Sequence, residues 1–125
     1  MTQKTYLSNL LENNQDAVII GSIGTISYDL TDIPHPNKIL LRGAMGSALS
    51  VGLGYAMGSD KQVIVIIGDG SFLMKLGHMA TIMKYNLPNL KIIVINNGSF
   101  RSCGCQETNF DSIKNLFPVE VVAVE

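Results

Sequence analysis

Two short polar clusters in this chain carry the residue types that do chemistry. The first is Gly68-Asp69-Gly70-Ser71, delivered at the end of the apolar run Val63 to Ile67. The second is Asn96-Asn97-Gly98, delivered at the end of the apolar run Ile92 to Ile95, with about one helix of sequence between them. Two strands of one parallel sheet would present a carboxylate and a side-chain amide at the same sheet edge. In open α/β sheets that carboxyl edge is where ligands sit. Both groups are hard oxygen donors suited to Mg²⁺ or Ca²⁺, with phosphate oxygens completing the shell. Taken singly, Asp69 reads as a helix N-cap and the Asn pair as a β-turn. The pairing at this spacing separates them from those ordinary uses.

The remaining polar residues are less telling. Cys103 and Cys105 are the only cysteines, in a C-x-C arrangement that makes a poor disulfide, and they read as loop thiols of a reducing compartment. His35 and His78 show no ligand spacing, so no zinc site is expected. Gly52-x-Gly54-x-x-x-Gly58 lies inside a predicted helix and is rejected as a dinucleotide fingerprint. Hydrophobic content of 46% with a net charge of −1 points to a globular fold and away from a nucleic-acid surface. The apolar runs are strand-sized, so no membrane span is expected, and the N-terminus lacks the apolar core of a signal peptide. A cytoplasmic protein is the default expectation.

The elements that must position these clusters alternate. Helices are expected over Thr2–Asn14, in a short stretch through Leu30 with Thr25 or Ser27 as its cap, over Gly43–Gly58, over Phe72–Tyr85 and over Thr108–Phe117, with Thr108 as the last one's cap, and a polar loop over Gly98–Glu107. Strands are expected over Ala17–Gly21, Lys38–Leu41, Gln62–Ile67, Leu90–Ile95 and Val119–Val124. In the fourth helix Leu73, Leu76, Ala80 and Met83 would share a face. The glycines of Gly43–Gly58 cost helix stability, so something must approach that helix closely: a sheet, a cofactor or a partner helix. The pattern predicts an α/β fold, one doubly wound parallel sheet with helices on both faces, in a single domain over residues 1–125.

Gly68-Asp69-Gly70-Ser71 followed by Asn96-Asn97-Gly98 resembles the fingerprint of the diphosphate-binding (PP) domain of thiamine diphosphate-dependent 2-oxoacid decarboxylases. The resemblance implies thiamine diphosphate and Mg²⁺ as cofactors. It implies Asp69, Asn97 and the Ser99 carbonyl as metal ligands, and Gly68, Gly70, Ser71 and Gly98 around the diphosphate. Asn96 would brace the loop instead. Arg42-Gly43-Ala44-Met45-Gly46 is similar to the family's G-x-M-G turn, where Gly43 would offer its backbone carbonyl and Met45 would wedge under the bent cofactor. Ser22 to Ser27, the Leu76 to Ile82 helix, and the loop from Asn97 through Gly104 and Gln106 to Thr108 resemble the phosphonopyruvate and sulfopyruvate decarboxylase branch. His78 and Cys105 depart from that pattern.

In this family a glutamate from a pyrimidine-binding (PYR) domain completes the cofactor's activation. Glu12, Glu107, Glu120 and Glu125 match no motif of that domain, so no catalytic residue is assigned within this chain. The resemblance implies the β-type half of a split decarboxylase, inactive alone, completed by a PYR-domain subunit in a hetero-oligomer such as a dimer of heterodimers. An acetolactate synthase-like carboligase half and a non-catalytic cofactor-binding remnant are the alternatives. The last strand has no helix after it, as in a minimal form or a fragment. Arg42 and Arg101 are candidates for an anionic substrate head group, and His35 and His78 for proton transfer.

Overall fold

The computed structural model describes residues 1–100 and 104–124. Its strands are β1 (Val18–Gly21), β2 (Lys38–Leu40), β3 (Val63–Gly68), β4 (Leu90–Asn96), β5 (Ser99–Phe100), β6 (Gln106–Glu107) and β7 (Glu120–Ala123). Five of them form one wholly parallel sheet in the order β2-β1-β3-β4-β7. The central strands are continuous apolar runs because both their faces are covered. Val63, Val65 and Ile67 of β3 join Val18, Ile20, Ile92 and Val94 on one face. Ile64 and Ile66 join Ile19, Ile93 and Ile95 on the other.

Helices α1 (Gln3–Glu12) and α2 (Thr25–Thr31) bury Leu7, Leu11, Ile26 and Leu30 against the second face. Helices α3 (Ala48–Met57) and α5 (His78–Tyr85), with the short α4 (Asp69–Met74), cover the first. The doubly wound α/β architecture is therefore the one expected. Among the described residues no helix is long and apolar enough to cross a membrane. β1 runs out toward β2 on one side, while its other neighbour β3 runs out toward β4. The crevice at the carboxyl ends of β1 and β3 is thus the topological switch point.

Five local expectations are corrected. The helix expected from Gly43 begins only at Ala48, because Ala44 and Gly46 take positive φ values of 51° and 91° in the preceding turn. The helix expected over Phe72–Tyr85 is two: α4 ends where Lys75 leaves helical geometry (φ −128°, ψ 39°), and α5 starts after Gly77. That break shifts the phase, so Met79 and Ile82 face the core while Met83 stays 48% exposed. The loop expected from Gly98 to Glu107 contains the antiparallel β5–β6 pair. Thr108–Phe117 holds only a 3₁₀ turn, Phe110–Ser112, because Asn109 sits in the left-handed region at φ 57°. Gly24, not Thr25 or Ser27, precedes α2, and the Ser27 hydroxyl donates to the Gly21 and Ser22 carbonyls.

Of the three bodies proposed to approach the glycine-rich helix, the sheet is the one found. A Cβ at Gly52 would lie 2.2 Å from Val65 Cγ2, whereas one at Gly54 would meet nothing within 4 Å. Side chains brace the opposite, amino edge of the sheet. Asn89 Nδ2 donates to the carbonyls of Ala56, Ser59 and Lys61. Lys38 Nζ donates to Leu30 and Ile33 carbonyls at 2.8 and 2.7 Å, closing the C-terminus of α2.

Candidate functional site

Register places the two polar clusters side by side. Gly68 of β3 pairs with Ile95 of β4, so Asp69 and the Asn96–Asn97 pair leave the sheet at the same level. A cleft opens there, lined by Met45 from the turn after β2, Gly68 to Ser71 after β3, and Asn97, Ser99 and Phe100 after β4. Gln3 and the turn Ile23 to Ile26 close its other side, at the switch point.

Asp69 is 1% exposed and begins α4. Its Oδ2 accepts a hydrogen bond of 2.6 Å from the Thr108 hydroxyl. Asn97 Oδ1 accepts from the Ser99 N–H at 3.0 Å, which fixes the amide plane and leaves the oxygen a second lone pair. Asn96 turns away: its Nδ2 donates to Asp111 at 2.9 Å and its Oδ1 accepts from the Gly98 N–H. That bond, with Lys114 beside it, holds the Asp111 carboxyl below the usual carboxylate range. Asn96 therefore braces the loop, as expected.

Gly68 precedes α4 without a side chain to cap it, so the leading N–H groups of the helix have no side-chain acceptor. An uncapped helix start lining a cleft suits an anion. At six residues α4 carries a weaker dipole than the long helix expected, and the N–H groups themselves do more of the work. A Cβ at Gly70 would lie 2.7 Å from the Phe100 ring and 3.6 Å from Met45 Cε, so only glycine leaves this floor open. The residues fit a hard divalent cation bound together with a diphosphate: Asp69 with its carboxylate, Asn97 with its amide oxygen, and Ser99 all line the same cleft. Among the described residues no group of three His, Cys, Asp or Glu could hold a metal, so oxygens of water or of a bound anion would complete the shell.

Not every sequence-predicted residue reaches the cleft. Gly43 and Arg42 are exposed and do not line it. Gly98 stands just outside, its φ of 76° making the turn between Asn97 and Ser99. His35 is spent structurally: Nε2 meets the Asn14 carbonyl and Nδ1 accepts the Asn37 N–H. His78 Nδ1 is buried without a partner and does not border the cleft. Arg101 and Cys103 lie outside the described residues. Reading by sequence missed Gln3, Phe100 and the cleft role of the Ser22–Ser27 turn, which strand order alone would have revealed. Gly46, the last residue of the turn picked out by resemblance, sits where a Cβ would lie 2.4 Å from Lys75 Cγ.

Residues 20–120 match the model of the thiamine pyrophosphate enzyme family, C-terminal TPP-binding domain. The chain belongs to this family. It is 36% identical over 112 residues to the sulfopyruvate decarboxylase subunit beta of Methanocaldococcus jannaschii, covering 88% of this chain and 60% of that one. It is 39% identical over 100 residues to the phosphonopyruvate decarboxylase of Streptomyces viridochromogenes, covering 79% of this chain and 25% of that protein. The chain thus spans 60% of the length of the first of these relatives and a quarter of the second. Among solved structures, 2-oxoglutarate:ferredoxin oxidoreductase from Magnetococcus marinus superposes with a TM-score of 0.65 at 23% identity, over 83% of this chain and 36% of that one. That likeness concerns the fold. A TPP-binding domain of this family takes thiamine diphosphate.

Proposed function

We propose that this domain is the diphosphate- and magnesium-holding subunit of a split thiamine diphosphate-dependent decarboxylase acting on sulfopyruvate, phosphonopyruvate or a similar small 2-oxoacid. One observation carries the reading: Asp69, Asn97, Ser99 and Met45 border a single cleft at the carboxyl edge of the sheet. When bound, thiamine diphosphate supplies the electron sink for loss of CO₂ from a 2-oxoacid. This chain's share is binding and orientation. Asp69, Asn97 Oδ1 and the Ser99 carbonyl would hold Mg²⁺, while the N–H groups of Gly70 and Ser71 and the Ser71 hydroxyl take diphosphate oxygens. Met45, polarisable and flexible, supports the cofactor's apolar body.

The cleft's size favours a shared site. Its volume is about 100 Å³, against the roughly 300–1,000 Å³ of clefts that bury a drug-sized ligand. Among the described residues Asp69 is the one carboxylate that lines it, and on this reading that group holds the cation. The acid that activates the cofactor would come from a PYR-type partner subunit, and the names of the archaeal relatives, subunit beta, support such a partner.

The test is gentle purification from the source cell followed by native mass spectrometry and CO₂ release from sulfopyruvate and phosphonopyruvate. A second chain with mass for thiamine diphosphate and Mg²⁺, and CO₂ release only from the complex, is the expected result. Robust release by the pure chain would defeat the split site. A complex or lone chain that retains no cofactor would defeat the reading of the cleft.

A further inference from the structure

We propose that Thr108 is a positioning residue that sets the Asp69 carboxylate and the Asn97–Ser99 loop in one geometry, and so tunes the site for Mg²⁺ over larger cations. The inference rests on the reading of the cleft as a metal–diphosphate site. Thr108 follows β6, is buried, and touches both arms of that site. Its hydroxyl donates to Asp69 Oδ2 at 2.6 Å. Its backbone N–H donates to the Gly98 carbonyl at 3.1 Å, at the residue between Asn97 and Ser99. A threonine hydroxyl has one proton. The Phe110 N–H donates to the same oxygen at 3.3 Å, which leaves that proton for Asp69. The short distance is that of an O–H donor on a charged carboxylate.

The anchor beneath is buried. Phe110, two residues on, packs edge-on against Phe72 with ring centroids 5.7 Å apart, and Phe72 lies on α4 three residues after Asp69. The carboxylate plane is therefore held from outside the cleft, with Oδ2 occupied and Oδ1 left for a cation. Mg²⁺ demands near-ideal octahedral geometry, whereas Ca²⁺ tolerates irregular shells. Loosening the carboxylate should thus penalise Mg²⁺ more than Ca²⁺. Partners that orient metal ligands typically change affinity by about 10–100-fold.

The experiment is calorimetric titration of Mg²⁺ and of Ca²⁺ into the full chain, with any subunit that copurifies, at a fixed excess of thiamine diphosphate. Thr108→Val should weaken Mg²⁺ binding about tenfold or more and Ca²⁺ binding distinctly less, and Thr108→Ser should restore the wild-type ratio. Unchanged Mg²⁺ affinity in Thr108→Val, or equal losses for both ions, would overturn the inference while leaving the site reading intact. A wild-type protein that binds neither ion would overturn the site reading and this inference together. Should Thr108→Val not fold, Thr108→Cys, with a weak donor in the same place, makes the same comparison.

Discussion

The sharpest test of the packing concerns two glycines on one helix. Gly52 and Gly54 both lie inside α3, and an alanine at either removes the same backbone freedom. In a helix interior that exchange is worth about 0.8–1 kcal/mol in favour of alanine. The surroundings then decide the sign. At Gly54 the new methyl meets nothing within 4 Å. Gly54→Ala should stabilise the chain by nearly the full propensity gain, about 1 kcal/mol. At Gly52 the methyl would lie 2.2 Å from Val65 Cγ2. Val65 sits in the middle of β3, paired with Ile20 on one side and Ile92 on the other, and cannot retreat. Overpacking of a filled core costs about 1–3 kcal/mol, and a contact this close belongs at the upper end. The net effect of Gly52→Ala is then a loss of about 1–2 kcal/mol.

Urea unfolding of the two variants should therefore give midpoints displaced in opposite directions with unchanged slopes. Thermal midpoints should part by roughly 10 °C, taking about 4 °C per kcal/mol for a chain of this size. A cycle isolates the cause. Val65→Ala removes the methyl that Gly52→Ala strikes, so the double variant should be more stable than the sum of the two single losses predicts, by about 1–3 kcal/mol. Additive losses, or a Gly54→Ala variant as damaged as Gly52→Ala, would refute the claim that the sheet is what requires a glycine on this helix.

Asp69→Ala should abolish Mg²⁺-dependent retention of thiamine diphosphate, measured by cofactor content after gel filtration; retention equal to wild type would remove Asp69 from the ligand set. Asn89→Ala removes the amide that bonds the Ala56, Ser59 and Lys61 carbonyls and should lower unfolding stability by about 1–3 kcal/mol, with a midpoint equal to wild type counting against that brace. Burial, and then the charge of Glu120, push the Tyr6 hydroxyl up from its ordinary value. The unfolded chain gives up this proton first, so the folded state holds more protons and stability falls as pH rises past about 10. Tyr6→Phe should flatten that alkaline decline in melts across the range, and an identical decline would show that another group causes it.

The parts of this fold legible in the sequence are those whose local signal agrees with the global one. β3 and β4 read correctly because a parallel strand buried on both faces must be apolar throughout, and Val63–Ile67 and Ile92–Ile95 are. The Gly68–Ser71 and Asn96–Gly98 clusters stood out for the same reason: each follows directly on such a run. The errors fall where a polar residue serves a distant partner. Thr108 has the look of a helix cap, yet its hydroxyl is taken by a carboxylate 39 residues earlier, and Asn109 in the left-handed region ends any helix before it starts. Nothing local distinguishes a threonine that caps from one that reaches across the sheet edge. The turn at Gly43–Ser47 was misread as helix because alanine, methionine and serine there carry no breaker except glycine, and the crowding at Gly46, where a Cβ would strike Lys75 and the Ser71 carbonyl, comes from α4 and the turn after it. Those misreadings gather around the cleft. A site built from four loops needs residues satisfied by groups outside their own segment, so it is where single-segment reasoning must fail first.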